Sequence, residues 1–203
     1  AGKTVNPTRM ELTRLKGRLR TARRGHKLLK DKRDELMKQF LEIVRRNRTL
    51  RAKVEQGLKE ANDAFTVASA VMGPEMLEQS LLRPQRFVSL DVDARNIMSV
   101  NVPVFTFHTE GGEGSLLPYG FAQTSGELDA ALEKMQAVFA DMLELAQVEK
   151  SMQLLAQDIE KTRRRVNALE YVMIPETEKN IRYITMKLDE NERGKTTALP
   201  RSA

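Results

Sequence analysis

Three segments of this sequence contain glycines in patterns that could bind phosphate, but none has the required context. Residues 194–196 and 2–4 both read GKT, like the end of a phosphate-binding loop. The full motif needs an earlier glycine, in a segment that follows a strand. Position 189 is aspartate, helical sequence precedes it, and residues 2–4 have no room upstream. Residues 111–114 (GGEG) lack a following helix to direct N–H groups at a phosphate, so we interpret them as a loop.

Other residue types that carry catalysis or bind metals are scarce. The chain has no cysteine, which excludes disulfides, thiolate metal sites and cysteine nucleophiles. Its two histidines, His26 and His108, lie far apart in sequence, which argues against a histidine-rich metal site. No Ser–His–Asp set or carboxylate pair stands out. The sequence therefore predicts no catalytic residue, metal site or cofactor, and a chain that is not an enzyme by itself.

The composition favours long, exposed helices. Among 203 residues, 31% are charged and 5% are aromatic, a balance that is unusual for a compact core. No window holds 18 consecutive apolar residues, so no membrane span is predicted. The first residues do not form an apolar signal-peptide core, and we expect the chain on the cytoplasmic side.

The net charge of +6 is unevenly distributed. Residues 1–60 carry 19 basic and 7 acidic side chains. Such a basic segment is typical of a protein that binds nucleic acid or an acidic protein partner. It is equally typical of a helix whose charges face water or a neighbouring helix, and we favour this second interpretation.

The first third of the chain is predicted to be one long amphipathic helix. Pro7 and Thr8 suit its start, and Gly73 followed by Pro74 suits its end. Between them, seam positions recur at alternating spacings of three and four, which is a heptad repeat. The seam positions are Leu12, Leu15, Leu19, Ala22, His26, Leu29, Arg33, Leu36, Phe40, Ile43, Asn47, Leu50 and Val54.

Three of these seam residues are polar. We interpret His26 as a seam histidine, with Gly25 beside it permitting close approach of a second helix. Arg33 and Asn47 are interpreted as residues that set register and orientation at some cost in stability.

The last third is predicted to be a second such helix. Thr124 and Glu127 have the spacing of a capping box. The stripe changes phase between Met142 and Val148, where two spacings of three follow each other. Pro175 should kink the helix. The seam positions are Leu128, Leu132, Met135, Phe139, Met142, Leu145, Val148, Met152, Leu155, Ile159, Thr162, Val166, Leu169, Met173, Glu176, Asn180 and Tyr183.

The segment between the two helices has a different pattern. Residues 75–82 read as a short helix. Apolar and polar residues then alternate with period two, which predicts a small strand pair within residues 86–107. The apolar positions are Val88, Leu90, Val92, Met98, Val100, Val102 and Val104. Residues 108–118 read as a glycine-rich loop.

These elements predict a mainly α fold. Neither long helix can be stable alone, because most helix stability comes from packing an apolar stripe. The connector of about 50 residues favours an antiparallel arrangement over a parallel one. We therefore predict a long antiparallel two-helix coiled coil formed by residues 8–72 and 125–193. The short helix and β-hairpin of residues 73–124 form an insert at the end opposite the termini, and residues 194–203 form a disordered tail.

Several blocks of the sequence resemble one known family, the D subunits of V-type ATPases. Residues 7–12 (PTRMEL) and 25–37 (GHKLLKDKRDELM) resemble the opening helix of that family. Residues 161–175 (KTRRRVNALEYVMIP) and 188–193 (LDENER) resemble its closing helix. Shorter matches, NIMS at 96–99 and VP at 102–103, fall in its central segment. Members of the family usually continue beyond position 193 with a basic helical extension, from which residues 194–203 depart.

The resemblance implies the central rotor shaft of a rotary ATPase, a non-catalytic component. The implied partners are the small F subunit, the catalytic A and B subunits of the head, and the C (or d) subunit on the membrane ring, with no nucleic acid and no membrane insertion. ATP hydrolysis in the head would turn the shaft and pump protons or sodium ions, and reversal would make ATP. The expected location is the cytoplasmic face of a prokaryotic plasma membrane.

On this interpretation, the basic face meets the inner wall of the head. The arginines expected to do so are Arg9, Arg20, Arg23, Arg24, Arg163, Arg164 and Arg165. The strand region should face the membrane side, and the F subunit should bind the middle to lower shaft. Two other classes stay open from the residues alone, a nucleic-acid-binding coiled coil and a scaffolding coiled coil. The acidic excess after residue 60 and the scarcity of aromatic stacking residues disfavour the first.

Overall fold

The computed structural model describes residues 5–82, 87–110, 119 and 124–198. In chain order, the elements are α1 (Arg9–Met72), α2 (Pro74–Leu81), β1 (Phe87–Ile97), β2 (Val100–Glu110), α3 (Gly126–Ala168), a π-helical turn (Leu169–Met173) and α4 (Ile174–Ala198). The chain divides into two compact units, which are described separately below. Unit 1 comprises Ala1–Met37 and Asp158–Ala203, and unit 2 comprises Lys38–Gln157.

Local sequence signals account for the ends of α1. The Thr8 hydroxyl accepts a hydrogen bond of 3.2 Å from the backbone N–H of Glu11, so Thr8 caps the helix start. At the other end, Gly73 has a φ of +83°, a conformation that costs glycine little, and Pro74 opens α2.

Helix α4 extends further towards the C-terminus than the sequence predicts. The sequence predicts a disordered tail from Gly194, whereas α4 continues to Ala198. A single glycine weakens a helix without ending it. The next strong helix breaker is Pro200, and it lies outside the described residues.

In unit 1, ion pairs show that the two helical segments run antiparallel. Arg9 pairs with Glu192. The Arg23 guanidinium lies 2.7 Å from the Glu178 carboxylate. As residue numbers rise along α1, the numbers of the residues paired with them fall. The last pair follows the same order, with Lys32 Nζ 3.3 Å from Asp158 Oδ2.

In unit 2, contacts along the two helices give the same orientation, with one long side chain, Arg51, reaching back along α3 to Glu149. Arg46 pairs with Glu144, and Lys53 Nζ lies 2.8 Å from Asp141 Oδ1. Further along α1, Gly57 lies against Val138. The predicted fold class, a mainly α protein with a long antiparallel helix pair and a small β insert, is confirmed.

The apolar seam accounts for the packing in both units. The buried members of the predicted seam are Leu15, Ala22, Leu36, Asn47, Val54, Leu128, Val148, Leu155, Ile159, Thr162 and Val166. The half-buried members are Leu12, Leu19, His26, Leu29, Arg33, Phe40, Ile43, Leu50, Leu132, Met135, Leu145, Met152, Leu169 and Asn180. Met173 is 37% exposed and lies at the edge of the packed face.

The seam changes phase at the π-helical turn. The sequence pattern continues from Met173 through Glu176 and Tyr183, but both of these are exposed, and Thr177 and Ile184 are buried instead. A π-helical turn contains one extra residue, so every later position moves one place around the helix. The turn ends at Met173, two residues before Pro175, whose ring would clash with a carbonyl of a regular preceding turn.

In unit 2, small residues replace two of the larger ones expected in the seam. The sequence predicts Leu132 and Phe139 on the packed face, whereas Ala131 and Val138 are buried and Phe139 is 41% exposed. A Cβ placed on Gly57 would overlap the Cγ2 methyl of Val138. The helices are therefore so close here that α1 has room for no side chain.

The polar seam residues differ in their surroundings. Asn47 is buried, and its Nδ2 has no hydrogen-bond partner among the described residues. An unsatisfied buried amide costs stability, as expected for a polar seam residue. Arg33 turns to its neighbour Asp34, with a guanidinium-to-carboxylate distance of 2.7 Å.

The two strands form an antiparallel hairpin in which Ile97 pairs with Val100 and Phe87 with Glu110. The sequence predicts Met98 in a strand, but Met98 and Ser99 form the turn, with φ of 51° and 73°. Such two-residue turns usually contain Asn-Gly or Asp-Gly, so Met-Ser gave no sequence signal.

The hairpin lies against the side of α3. The N–H of Phe105 donates a 2.9 Å hydrogen bond to Gln147 Oε1, and Val100 and Val102 are buried. The strands continue to Glu110, so the predicted loop begins later than residue 108; residues 111–118 lie outside the described part of the chain. Near the start of α3, burial and a hydrogen bond donated to Asp129 raise the pKa of the Tyr119 phenol.

The close approach at Gly57 predicts opposite effects for two glycine substitutions in α1. Gly57→Ala should lower the free energy of unfolding by about 1–3 kcal/mol, because the new methyl overlaps Val138. Gly17→Ala should raise it by about 0.5–1 kcal/mol, since nothing lies within 4 Å of that position and alanine favours the helix. Urea unfolding followed by circular dichroism measures both. Equal stabilisation by the two substitutions would show that the helices do not approach closely at Gly57.

Candidate interaction surface

The described residues contain no group of three or more histidine, aspartate or glutamate side chains placed to hold a metal ion. Residues 194–196, one of the glycine–lysine–threonine segments, lie within α4 and form no loop. Residues 2–4 and 111–114 lie outside the described part of the chain. Within that part, no helix combines the length and apolar character needed to span a membrane.

Three of the seven arginines proposed to bind a partner pair with carboxylates of the chain itself. Arg9 and Arg23 form ion pairs with Glu192 and Glu178 on α4. Arg164 pairs with Glu160, one turn earlier on α3. These side chains are exposed, so each pair contributes little stability, about 0–1 kcal/mol.

The other four proposed arginines have no carboxylate within ion-pair distance in the described residues. They are Arg20, Arg24, Arg163 and Arg165, and all four are exposed. Arg20, Arg24 and Leu28 are spaced by four and therefore share one face of α1. No carboxylate of the described residues therefore competes for their guanidinium groups.

Exposed apolar side chains lie in the same unit. Leu28 and Tyr171 are each 70% exposed, and Val172 is 61% exposed. His26 Nε2 lies 3.3 Å from Glu170 Oε2, so this part of α1 lies beside the π-helical turn that carries Tyr171 and Val172. Arginine and tyrosine are enriched in protein interfaces, and π-helical turns are frequent at functional sites. Arg20, Arg24 and Leu28 lie on the side of α1 that faces away from the seam, so they are not in contact with the π-helical turn. We use the name α1–π surface for the five exposed residues Arg20, Arg24, Leu28, Tyr171 and Val172 taken together.

Sequence reasoning missed the aromatic and apolar part of this surface. The heptad pattern places Tyr171 and Val172 outside the seam and therefore gives no reason to select them. The one feature of the sequence that could have drawn attention to these two residues is Pro175, which disturbs the helix shortly after them. The expectation that Gly25 permits close helix approach is wrong, since nothing lies within 4 Å of its Cβ position. Gly57 has that role instead.

Comparison with known proteins identifies the family. The sequence profile that describes the D subunit of ATP synthase matches residues 11–202. The chain belongs to this family.

Several bacterial relatives share more than half of their residues with the chain. The V-type ATP synthase D subunit of Acetivibrio thermocellus is 64% identical over 196 residues, which cover 96% of this chain and 88% of that protein. The protein of the same name from Clostridium botulinum strain Langeland is 59% identical over 197 residues, covering 96% and 91%. That from Clostridioides difficile is 60% identical over 195 residues, covering 96% and 88%. The resemblance noted in the separate sequence blocks therefore extends over nearly the whole chain.

Exposure separates residues that stabilise the helix pair from those available to a partner. Tyr171→Ala and Arg24→Ala should each change the free energy of unfolding by less than about 0.5 kcal/mol, because both side chains are exposed. Ile184→Ala should cost about 2–5 kcal/mol, because Ile184 is fully buried. Thermal and urea unfolding of the isolated chain provide the measurement. A loss above about 1.5 kcal/mol for Tyr171→Ala would indicate that this ring belongs to the packed seam.

Proposed function

We propose that this chain is the central rotor shaft of a V-type rotary ATPase. It transmits torque between the catalytic A and B subunits of the head and the membrane ring that carries protons or sodium ions. The chain itself has no catalytic role. It acts within a peripheral complex on the cytoplasmic face of the membrane, in ATP-driven transport or in ATP synthesis. Family membership supports the place in the complex, and the helix pair supports the mechanical role.

The observation that carries this proposal is the antiparallel pairing of long helices in each unit. Torque requires that the two helices turn together. Their buried stripes and the ion pairs between them oppose sliding and separation. In unit 1, the Arg23–Glu178 and Lys32–Asp158 pairs connect α1 to α4 and α3 at separate levels. Individually weak pairs are sufficient here, because burial of the seam supplies most of the stability.

Two helices side by side have no threefold symmetry, and this property supplies the coupling. A head built of three catalytic pairs surrounds such a shaft with three different contacts. Catalytic states that contact different sides of the shaft then differ in free energy, and nucleotide occupancy becomes linked to the angle of rotation. No chemical group on the shaft is needed.

The α1–π surface, together with Arg163 and Arg165, is the part of unit 1 best suited to contact the head. Its arginines lack internal carboxylate partners among the described residues, and its apolar side chains are exposed. Arg9, Arg23 and Arg164 are also predicted from the sequence to contact the head. We assign them mainly to pairing within the chain, because Glu192, Glu178 and Glu160 already neutralise them.

The remaining assignments follow the family resemblance. The F subunit binds the middle to lower shaft, and the C (or d) subunit connects the shaft to the membrane ring. The hairpin of unit 2 faces the membrane side. Cross-linking from position 100 to these two proteins, and not to the catalytic A or B subunits, would agree with that orientation.

Charge reversal tests contact with the head. The double substitution Arg163→Glu and Arg165→Glu should weaken binding to the A–B head at least tenfold and slow ATP-driven rotation. A tenfold change corresponds to about 1.4 kcal/mol, which is reasonable for losing and reversing two charge-assisted contacts. Affinity is measured by pull-down titration of the chain with purified A and B subunits, and rotation by single-molecule observation.

Lys59→Glu is the matched control, because Lys59 is an exposed cation of unit 2 with no carboxylate partner among the described residues. Its head affinity should stay within twofold of the original. Retained binding of the F subunit by both variants would show that they are folded. Normal head affinity and normal rotation in the Arg163/Arg165 variant would contradict this assignment.

A further inference from the structure

Strand β1 is unusually exposed for a strand of a folded protein. Each of its side chains except Ile97 is exposed, including Phe87 at 63% and Val92 at 61%. By contrast, Val100 and Val102 of β2 are buried. Only β2 therefore contributes substantially to the packing of the hairpin within the described part of unit 2.

The register shows which backbone groups of β1 point away from β2. Ile97 and Val100 flank a two-residue turn and form a hydrogen-bonded pair. Hydrogen-bonded and non-hydrogen-bonded pairs alternate along an antiparallel ladder. The N–H and C=O groups of Val88, Leu90 and Val92 consequently point outward, along the free edge of β1.

The corresponding edge of β2 is covered at Phe105 and Pro103. Phe105 lies opposite Val92 in a non-hydrogen-bonded pair, and its outward N–H donates to Gln147 Oε1 on α3. The next outward position is Pro103, which has no N–H to satisfy. Among the described residues, no backbone or side-chain group pairs in this way with the outer edge of β1. In the part of the chain that the structure describes, the outer edge of β2 is thus covered at Pro103 and Phe105, and the outer edge of β1 is uncovered along its length.

The two faces of β1 differ chemically. Val88, Leu90 and Val92 share one face, and Asp91 and Asp93 lie on the other. A groove of about 480 Å³ adjoins the first face. It is lined mainly by apolar groups of the hairpin and α3, among them Val92, Ala94, Phe105, Ala146 and Leu154.

We propose that the outer edge of β1 binds an extended strand of another protein of the ATP synthase complex. The added strand hydrogen-bonds to Val88, Leu90 and Val92, in the mode known as β-augmentation. Its residues alternate between apolar side chains, which cover the apolar face, and lysine or arginine side chains, which lie beside Asp91 and Asp93. The proposal depends on membership of the complex and does not depend on the rotor role.

Charge favours a basic partner strand. Antiparallel pairing of two β1 strands centred on Val92 would place Asp91 opposite Asp93 at two places, and like charges directly opposite each other destabilise a strand pair. A strand that places lysine or arginine beside Asp91 and Asp93 has no such repulsion. The carboxylates thereby disfavour that register of self-association and favour a strand of another protein with basic side chains.

Hydrogen exchange resolved to single amides tests the proposal in the isolated chain and in the purified complex. The N–H groups of Val88, Leu90 and Val92 should exchange rapidly in the isolated chain and at least tenfold more slowly in the complex. Asp91 and Asp93, whose N–H groups point to β2, should be protected in both. Unchanged rapid exchange of the three outward amides in the complex would overturn the proposal. Protection in the isolated chain would overturn it as well. If that protection rises with concentration it indicates a second copy, and if not it indicates another segment of the same chain.

A pair of substitutions at one position distinguishes backbone pairing from side-chain packing. Leu90→Pro removes an outward N–H that β2 does not use, so the hairpin should persist. Leu90→Ala keeps that N–H and removes most of the side chain. Slowed exchange of the Val88 and Val92 amides in the complex should be lost in the proline variant and retained in the alanine variant.

The protection of Asp91 shows whether the hairpin of each variant is intact. Should the proline variant unfold the hairpin, substitution of both Asp91 and Asp93 by asparagine gives a second test. This double substitution leaves every backbone N–H in place. It should lower the protection of the Val88, Leu90 and Val92 amides in the complex at least threefold. Equal protection in the original complex, the proline variant with an intact hairpin, and the asparagine variant would refute strand addition.

Discussion

Burial of one narrow apolar stripe per helix is the constraint on which this structure depends. Outside the stripe, α1, α3 and α4 carry mainly charged, polar and small residues, and a helix of this kind gains little stability by itself. Antiparallel packing buries Leu36, Leu155, Val166 and Ile184 completely or nearly so. Ion pairs at the margins of the seam add orientation more than stability. At Gly57, α1 lies so close to Val138 that a side chain at this position would overlap it.

The sequence predicted the elements of the fold because they follow from periodicity and from strong helix breakers. Heptad spacing identified the two long helices, Gly73 and Pro74 marked the end of the first, and period-two alternation identified the hairpin. Three features were not predictable in this way. The π-helical turn shifts the seam after Met173, whereas the spacing of apolar residues continues unchanged and Pro175 predicted only a kink. The Met98–Ser99 turn lacks the usual turn residues. The choice of Val138 over Phe139 depends on the glycine that faces it from a distant part of the chain.

The proposed interaction surface follows from the sequence only in part. Charge in the sequence indicated basic residues but could not distinguish arginines with internal carboxylate partners from those without. That distinction depends on which residues of α4 lie opposite α1, as with Glu178 and Arg23. The sequence did not indicate the exposed Tyr171 ring, because the heptad pattern identifies buried positions and gives no information about exposed ones. Arg9 and Arg23 pair with carboxylates of α4. Arg20, Arg24, Arg163 and Arg165 have no carboxylate partner among the described residues, and for this reason we propose them as contacts with the head.

Cross-linking of the two helices in the assembled ATP synthase complex tests the central claim most directly. Because the sequence has no cysteine, the pair Arg23→Cys and Glu178→Cys can be joined by a short bismaleimide without background reaction in this chain. Antiparallel helices that turn as one body should cross-link efficiently within the chain, and ATP-driven rotation should continue at its original rate. Failure to cross-link would contradict the antiparallel pairing of unit 1. Efficient cross-linking that stops rotation would show that the two helices must move relative to each other, which a shaft turning as one body does not allow.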